Sequence, residues 1–134
     1  MLRNFLRSKL HGVHVTEANL HYVGSLSIDA ELMELVGIAP NEVVHIANVT
    51  NGERLTTYAI EAPRGSRVIG ANGAAAHKVR PGDTLIVFAF AMLSDAEVET
   101  HRPLLVFADE ANNPYRLADA EQHGELEPLT VQTA

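Results

Sequence analysis

Over the first hundred or so residues, apolar and polar positions alternate in short runs, most of them ended by a glycine, proline or asparagine. Val13 and Val15 alternate with His14 and Thr16, and Leu26 and Ile28 with Ser27 and Asp29, so each run predicts a half-buried strand. Asp29 can accept from free backbone N–H groups, which predicts a helix over 30–36 that Gly37 caps and Pro40 prevents from continuing. Val43 to Val49, the Asn51-Gly52 step and Arg54 to Ile60 predict a hairpin, because Asn-Gly supplies the positive φ angles of a tight turn. A turn at Pro63 to Ser66 leads to a short strand at Val68-Ile69. After Pro81-Gly82-Asp83 comes the most apolar run, Thr84 to Leu93, whose unbroken hydrophobicity predicts a strand buried on both faces. Leu104 to Phe107 reads as the last strand. Beyond Asp109 the chain turns acidic, with a short helix expected over 115–122 and mobility over the last ten or more residues. These elements predict one mainly β domain, a barrel with one or two short helices.

Length and charge narrow the function. A chain of 134 residues fits one domain. It has no cysteine, which excludes thiol catalysis, disulfides, zinc–thiolate sites and iron–sulfur clusters. The net charge of −7 is unevenly placed: residues 1–93 carry eight acids and eight bases, residues 94–134 nine acids and two bases. Without a basic stripe, nucleic acid is not an expected partner. No run approaches the roughly 18 apolar residues that span a bilayer, so no membrane partner is expected. Arg3, Arg7 and Lys9 interrupt the N-terminal apolar residues, which excludes the continuous core of a secretory signal; a cytoplasmic location is expected.

Individual residues offer limited chemistry. His11 and His14 lie three apart, on opposite faces of a regular strand, and no third ligand is spaced to join them, so no metal site is expected. Asn72 to Ala76 (Asn-Gly-Ala-Ala-Ala) reads either as a helix start capped by Asn72 or as a loop whose small side chains admit a ligand to backbone N–H groups. Arg54 and Tyr58, four apart on a strand, share a face on which a cation and a phenol could bind a carboxylate and deliver a proton. Gly24-Ser25 by itself is a turn in which glycine permits a backbone conformation closed to other residues.

Together, the stretches KLHGVHVTEANLHYVGSLSID (9–29), NVTNGERLTTYAIEAPRGSR (48–67) and NGAAAH (72–77) resemble the pyruvoyl-dependent aspartate α-decarboxylase family, from about residue 3 to residue 107. The resemblance implies a double-psi β-barrel over 1–110 with an acidic, flexible tail over 111–134, assembled as a homotetramer with sites between subunits. It implies self-cleavage at Gly24-Ser25, assisted by Thr57, into chains 1–24 and 25–134, and a covalent pyruvoyl group made from Ser25 with no metal. The activity implied is decarboxylation of L-aspartate to β-alanine and CO2 for pantothenate synthesis. Tyr58 is then the proton donor, and Thr57 and Asn72, Gly73, Ala74 and Ala75 line the substrate site. His11 and Tyr22 support it, and an accessory maturation factor is a further partner to consider. Tight pairing of the departing α-carboxylate would stabilise the ground state and oppose CO2 loss, so Arg54, helped by Lys9, is expected to hold the retained β-carboxylate. Two other readings stand beside this one: a pyruvoyl decarboxylase of another acidic amino acid, and an uncleaved barrel that binds a small ligand.

Overall fold

The computed structural model describes residues 1–124. Nine strands form one sheet: β1 (Arg3–His14), β2 (Glu17–Asn19), β3 (Ser25–Asp29), β4 (Val43–Asn48), β5 (Arg54–Ala62), β6 (Ile69–Asn72), β7 (Thr84–Leu93), β8 (Leu104–Ala108) and β9 (Pro114–Ala118). Two short helices, α1 (Ala30–Val36) and α2 (Asp95–Val98), interrupt them. The strand order is β2-β6-β3-β5-β4-β7-β1-β8-β9.

The order closes because β1 runs almost directly into β2. At the junction, Val15 N–H donates to the Asp83 carbonyl at 2.9 Å and Thr16 N–H to the Ile69 carbonyl at 2.8 Å. The run 3–19 therefore lies against β7 through β1 and against β6 through β2, which closes β2-β6-β3-β5-β4-β7-β1 into a barrel, with β8 and β9 paired beyond β1. Three parallel pairs (β1–β8, β2–β6, β3–β5) are set among antiparallel ones, and the fold is a mainly β, single-domain double-psi β-barrel. Leu10, Val13, Leu26, Ile28, Val44, Ile69 and Leu85 fill its interior without solvent exposure. Each such side chain contributes roughly 1.5–3 kcal/mol by leaving water.

Asp29 does more than cap α1. It is fully buried; its Oδ1 accepts from the N–H groups of Glu31 and Gly65, and its Oδ2 from the N–H and guanidinium of Arg67. Burial alone would raise its pKa, but these hydrogen bonds outweigh it and hold the carboxyl below its ordinary value. Gly37, at φ 74°, caps the other end of α1 as expected.

The structure corrects several expectations. β1 extends far N-terminal to Val13, because its pairing with β7 begins at Arg3. Burial on β7 alternates: Leu85, Val87 and Ala89 face the interior, while Phe90 and Met92 are 42% and 62% exposed outside. An apolar run on a barrel wall has one interior face whatever its composition. Leu104–Phe107 is not the last strand, and 114–118 is a strand rather than part of a helix. The open side of β8 pairs with β9 through a turn in which Asn112, itself buried, donates to the His14 and Arg67 carbonyls. That tertiary pairing overrides local preference. The expected mobility of the last ten residues falls on 125–134, outside the described residues.

His11 and His14 do not point apart. A bulge at Gly12, at φ 85°, makes His11 pair with Ile86 and Val13 with Leu85, so Leu10 and Val13 both face inward and the two histidines share the outer face. Among the described residues, no three His, Cys, Asp or Glu side chains gather where they could hold a metal. α2 is started by Ser94 and Glu97, which form a reciprocal capping box. Among the described residues, no helix is long and apolar enough to cross a membrane.

Candidate active site

Ser25 opens β3 and is fully buried. Its partner across the antiparallel β3–β6 pair is Asn72, whose Nδ2 donates to Ser25 Oγ at 3.1 Å and to Ser27 Oγ at 2.7 Å. Asn72 therefore does not cap the helical turn that follows. Its backbone is extended, no side-chain cap bond forms, and the next five residues, Gly73–His77, make a 3-10 turn. The Ser25 hydroxyl donates in turn to the Val23 carbonyl at 3.3 Å.

The glycine that uses its conformational freedom is Gly73, not Gly24. Gly24 has no positive φ, and a Cβ there would meet nothing within 4 Å, so its backbone is not forced into a glycine-only conformation. Gly73 sits at φ 63°, and a Cβ on it would lie 2.7 Å from Gly24 Cα and 3.2 Å from the Tyr22 carbonyl oxygen. The 3-10 turn is thus seated directly on the Gly24 backbone. The Leu26–Ala59 register of the parallel β3–β5 pair puts Thr57 level with Gly24.

These elements enclose an open cleft of about 240 Å³ lined by Gly24, Ser25, Leu55, Thr56, Thr57, Asn72, Ala74, Ala75 and Lys78. Five of the expected site residues beyond Gly24 and Ser25 can be placed against it: Thr57, Asn72, Ala74 and Ala75 line it, and Gly73 packs on its floor. Lys78 and Ser27 were not foreseen. Ser27 could have been, since it stands two residues from Ser25 on a strand and so shares its face.

The remaining expected residues lie elsewhere in the single chain. Arg54, Tyr58, Lys9 and His11 are absent from the cleft lining. Strand registers place Lys9, His11 and Arg54 in two rows across the outer face of β1, β7, β4 and β5. One row reads Lys9, Phe88, His45, Thr56, and the next reads His11, Ile86, Ala47, Arg54. Three strand spacings separate the ends of each row, roughly 14 Å. Lys9 and Arg54 of the same chain therefore start from opposite edges of this face. Arg54 is exposed and has no ion-pair partner among the described residues, whereas the Lys9 ammonium is paired with Glu121. Tyr58 is half-buried beside Val43. Thr56 points away from Thr57, as expected of neighbours on a strand, and its Oγ1 lies 3.3 Å from His45 Nδ1.

His11 packs against Phe107, with ring centroids 5.4 Å apart, and its buried Nδ1 has no partner among the described residues. Burial, and then the Lys9 charge, push its pKa below the ordinary histidine value, with Glu121 opposing. Tyr22 is 60% exposed and borders a separate cleft of about 220 Å³ on the far side of Asn72. The outer face also carries a cluster in which His45 stacks on Phe88 and meets Phe90 edge-on. Val43, Phe90 and Met92 leave this apolar surface open to solvent.

Residues 1–115 match the protein family described as Aspartate decarboxylase. Among curated proteins, the chain is 50% identical over 125 residues to the aspartate 1-decarboxylase of Caldicellulosiruptor saccharolyticus, covering 93% of this chain and 98% of that one. It is 47% identical over 125 residues to the aspartate 1-decarboxylase of Desulfitobacterium hafniense, with the same coverage. The Clostridium kluyveri aspartate 1-decarboxylase is 44% identical over 126 residues, 94% of this chain and 99% of its own.

Proposed function

The chain belongs to the aspartate decarboxylase family, and we propose that it converts L-aspartate to β-alanine and CO2 on a pyruvoyl group made from its own Ser25. The observation that carries this reading is the buried Ser25 hydroxyl, anchored by Asn72 beside the Gly24 peptide at the wall of a cleft. Such a site fits a group built from the backbone, because it needs a positioned nucleophile next to the carbonyl it attacks.

Maturation uses only the chain's own atoms and one water. Ser25 Oγ adds to the Gly24 carbonyl carbon, the Gly24–Ser25 C–N bond breaks, and the hydroxyl proton ends on the freed nitrogen, leaving an ester. Removal of the Ser25 α-proton breaks the Cβ–Oγ bond and releases the Gly24 carboxylate, ending chain 1–24. Water then displaces the nitrogen as ammonia, leaving a ketone at the head of chain 25–134. An amide is more stable than an ester, so the first step depends on positioning and on a donor to the developing oxyanion. Thr57, level with Gly24, is the candidate for that donor.

When formed, the pyruvoyl ketone and its neighbouring amide accept the electrons left behind as CO2 departs. The rest falls to side chains. The backbone of Gly73 to Ala75 approaches the substrate closely because those residues carry no more than a methyl group. Arg54, which has no ion-pair partner among the described residues, grips the β-carboxylate, and Tyr58 Oη supplies the proton to the carbon that loses CO2. Lys9 and His11 lie three strands from Arg54 on the same outer face, and we assign them to the site of a neighbouring copy. A homotetramer with sites between subunits accounts for that separation, and the exposed Val43, Phe90 and Met92 surface supports it.

Intact mass spectrometry tests the proposal. The purified protein should resolve into a fragment ending at Gly24 and one beginning at residue 25, the second lighter by one ammonia than a serine-started chain. Ser25→Ala should yield a single full-length species with no decarboxylation. Aspartate should be turned over in clear preference to glutamate. A full-length parent chain that resists hydride reduction defeats the reading in favour of an uncleaved binding barrel.

A further inference from the structure

Asn72 reaches two hydroxyls with one nitrogen. Its Nδ2 lies 2.7 Å from Ser27 Oγ and 3.1 Å from Ser25 Oγ, so the shorter contact is to the serine outside the scissile bond. The two hydrogens of a side-chain amide are fixed in one plane, so fixing one sets the direction of the other. The amide torsion is otherwise broad, with little intrinsic preference for any one plane. Ser25 and Ser27 stand two apart on β3, facing the same side, and the antiparallel register sets Ser25 opposite Asn72. A side chain from residue 72 can therefore bridge both.

We propose that Ser27 is a positioning residue for self-cleavage: it anchors the Asn72 amide so that the second N–H is held on Ser25 Oγ. The inference rests on the maturation reading above. With one lone pair of Ser25 Oγ engaged by Asn72 and its hydrogen directed to the Val23 carbonyl, one lone pair remains to form the bond to the Gly24 carbonyl carbon. The C–N bond then breaks and the serine proton passes to the nitrogen. Ser27 touches none of these reacting atoms. Its hydroxyl fixes the group that fixes the nucleophile, and removing it frees the amide to turn away from Ser25.

The test pairs two variants of nearly one shape, Ser27→Thr and Ser27→Val, which keep and lack the hydroxyl. Full-length chains are followed by intact mass spectrometry from synthesis onward, reading the fraction cleaved against time. Ser27→Val should cleave about fivefold more slowly or worse, and Ser27→Thr close to the parent rate. Thermal melting of Ser27→Val in a Ser25→Ala background, which cannot cleave, should match that of Ser25→Ala alone. Cleavage of Ser27→Val at the parent rate overturns the role while leaving self-cleavage standing, and so does equal slowing of both variants. A parent chain that never cleaves overturns the maturation reading and this role with it.

Discussion

Asp29 shows how much one residue can organise. Its carboxylate closes the start of α1 and holds the 65–67 turn, where Arg67 adopts a φ of 60°. Because the folded pKa is lowered, the unfolded chain binds the proton more readily. The stabilisation is therefore complete above the ordinary carboxylate value of about 4 and is lost as pH falls below it and through the lowered value of the folded state. Thermal melting between pH 6 and pH 3 should show that loss. Asp29→Asn should melt about 5 °C lower or more at pH 6 and show a shallower acid dependence, since four donors lose their charged acceptor. An unchanged acid slope in Asp29→Asn would assign the effect to other carboxylates. The capping role of Asp29 was legible from its place before an apolar helix. Its bonds to Gly65 and Arg67 were not, because they join residues more than thirty positions apart.

At the scale of elements, the site depends on how the 3-10 turn meets the β2–β3 connection. A methyl group on Gly73 would collide with Gly24 Cα, and the positive φ adds strain of its own. Gly73→Ala should therefore block or severely slow self-cleavage, read as persistent full-length chain on a denaturing gel. Gly52→Ala is the control: Gly52 also has a positive φ, but a Cβ there meets nothing within 4 Å. It should lose about 1 kcal/mol of stability by chemical denaturation and still cleave. Equal cleavage in both variants would remove the seating role from Gly73. The bulge at Gly12 is the second element-scale device, since it turns His14 onto the face of His11. Strict alternation read from the sequence cannot see it, because a bulge is defined by its partner strand.

For the whole molecule, the consequence lies in the rows that place Lys9 and His11 at one side of the barrel wall and Thr56 and Arg54 at the other. If each site combines Arg54 of one copy with Lys9 of another, Lys9→Ala and Arg54→Ala proteins should each be nearly inactive on aspartate at low concentration. Unfolded together and refolded as mixed oligomers, they should recover activity, with about a quarter of sites intact in a random mixture. No recovery would place both residues in one chain's site. The outer apolar surface of Val43, Phe90 and Met92 is the natural place for such copies to meet, since these side chains stand in water beside the His45–Phe88 stack.

The sequence by itself determined the mainly β class, the capped helix at 30–36, the hairpin between β4 and β5, and the family, because these rest on local periodicity, turn chemistry and ordered motifs. It also marked Ser25, Thr57 and Asn72 to Ala75 as one group, by resemblance rather than by spacing. Only the tertiary structure decided that 114–118 is a strand, that one face of β7 is open, and that Asn72 serves two serines instead of a helix end. It alone separated Lys9 from Arg54. The physical reason is common to all of these. Each is settled by pairing between segments distant in the chain, and a hydrogen bond or a buried face belongs to two partners that no local pattern brings together.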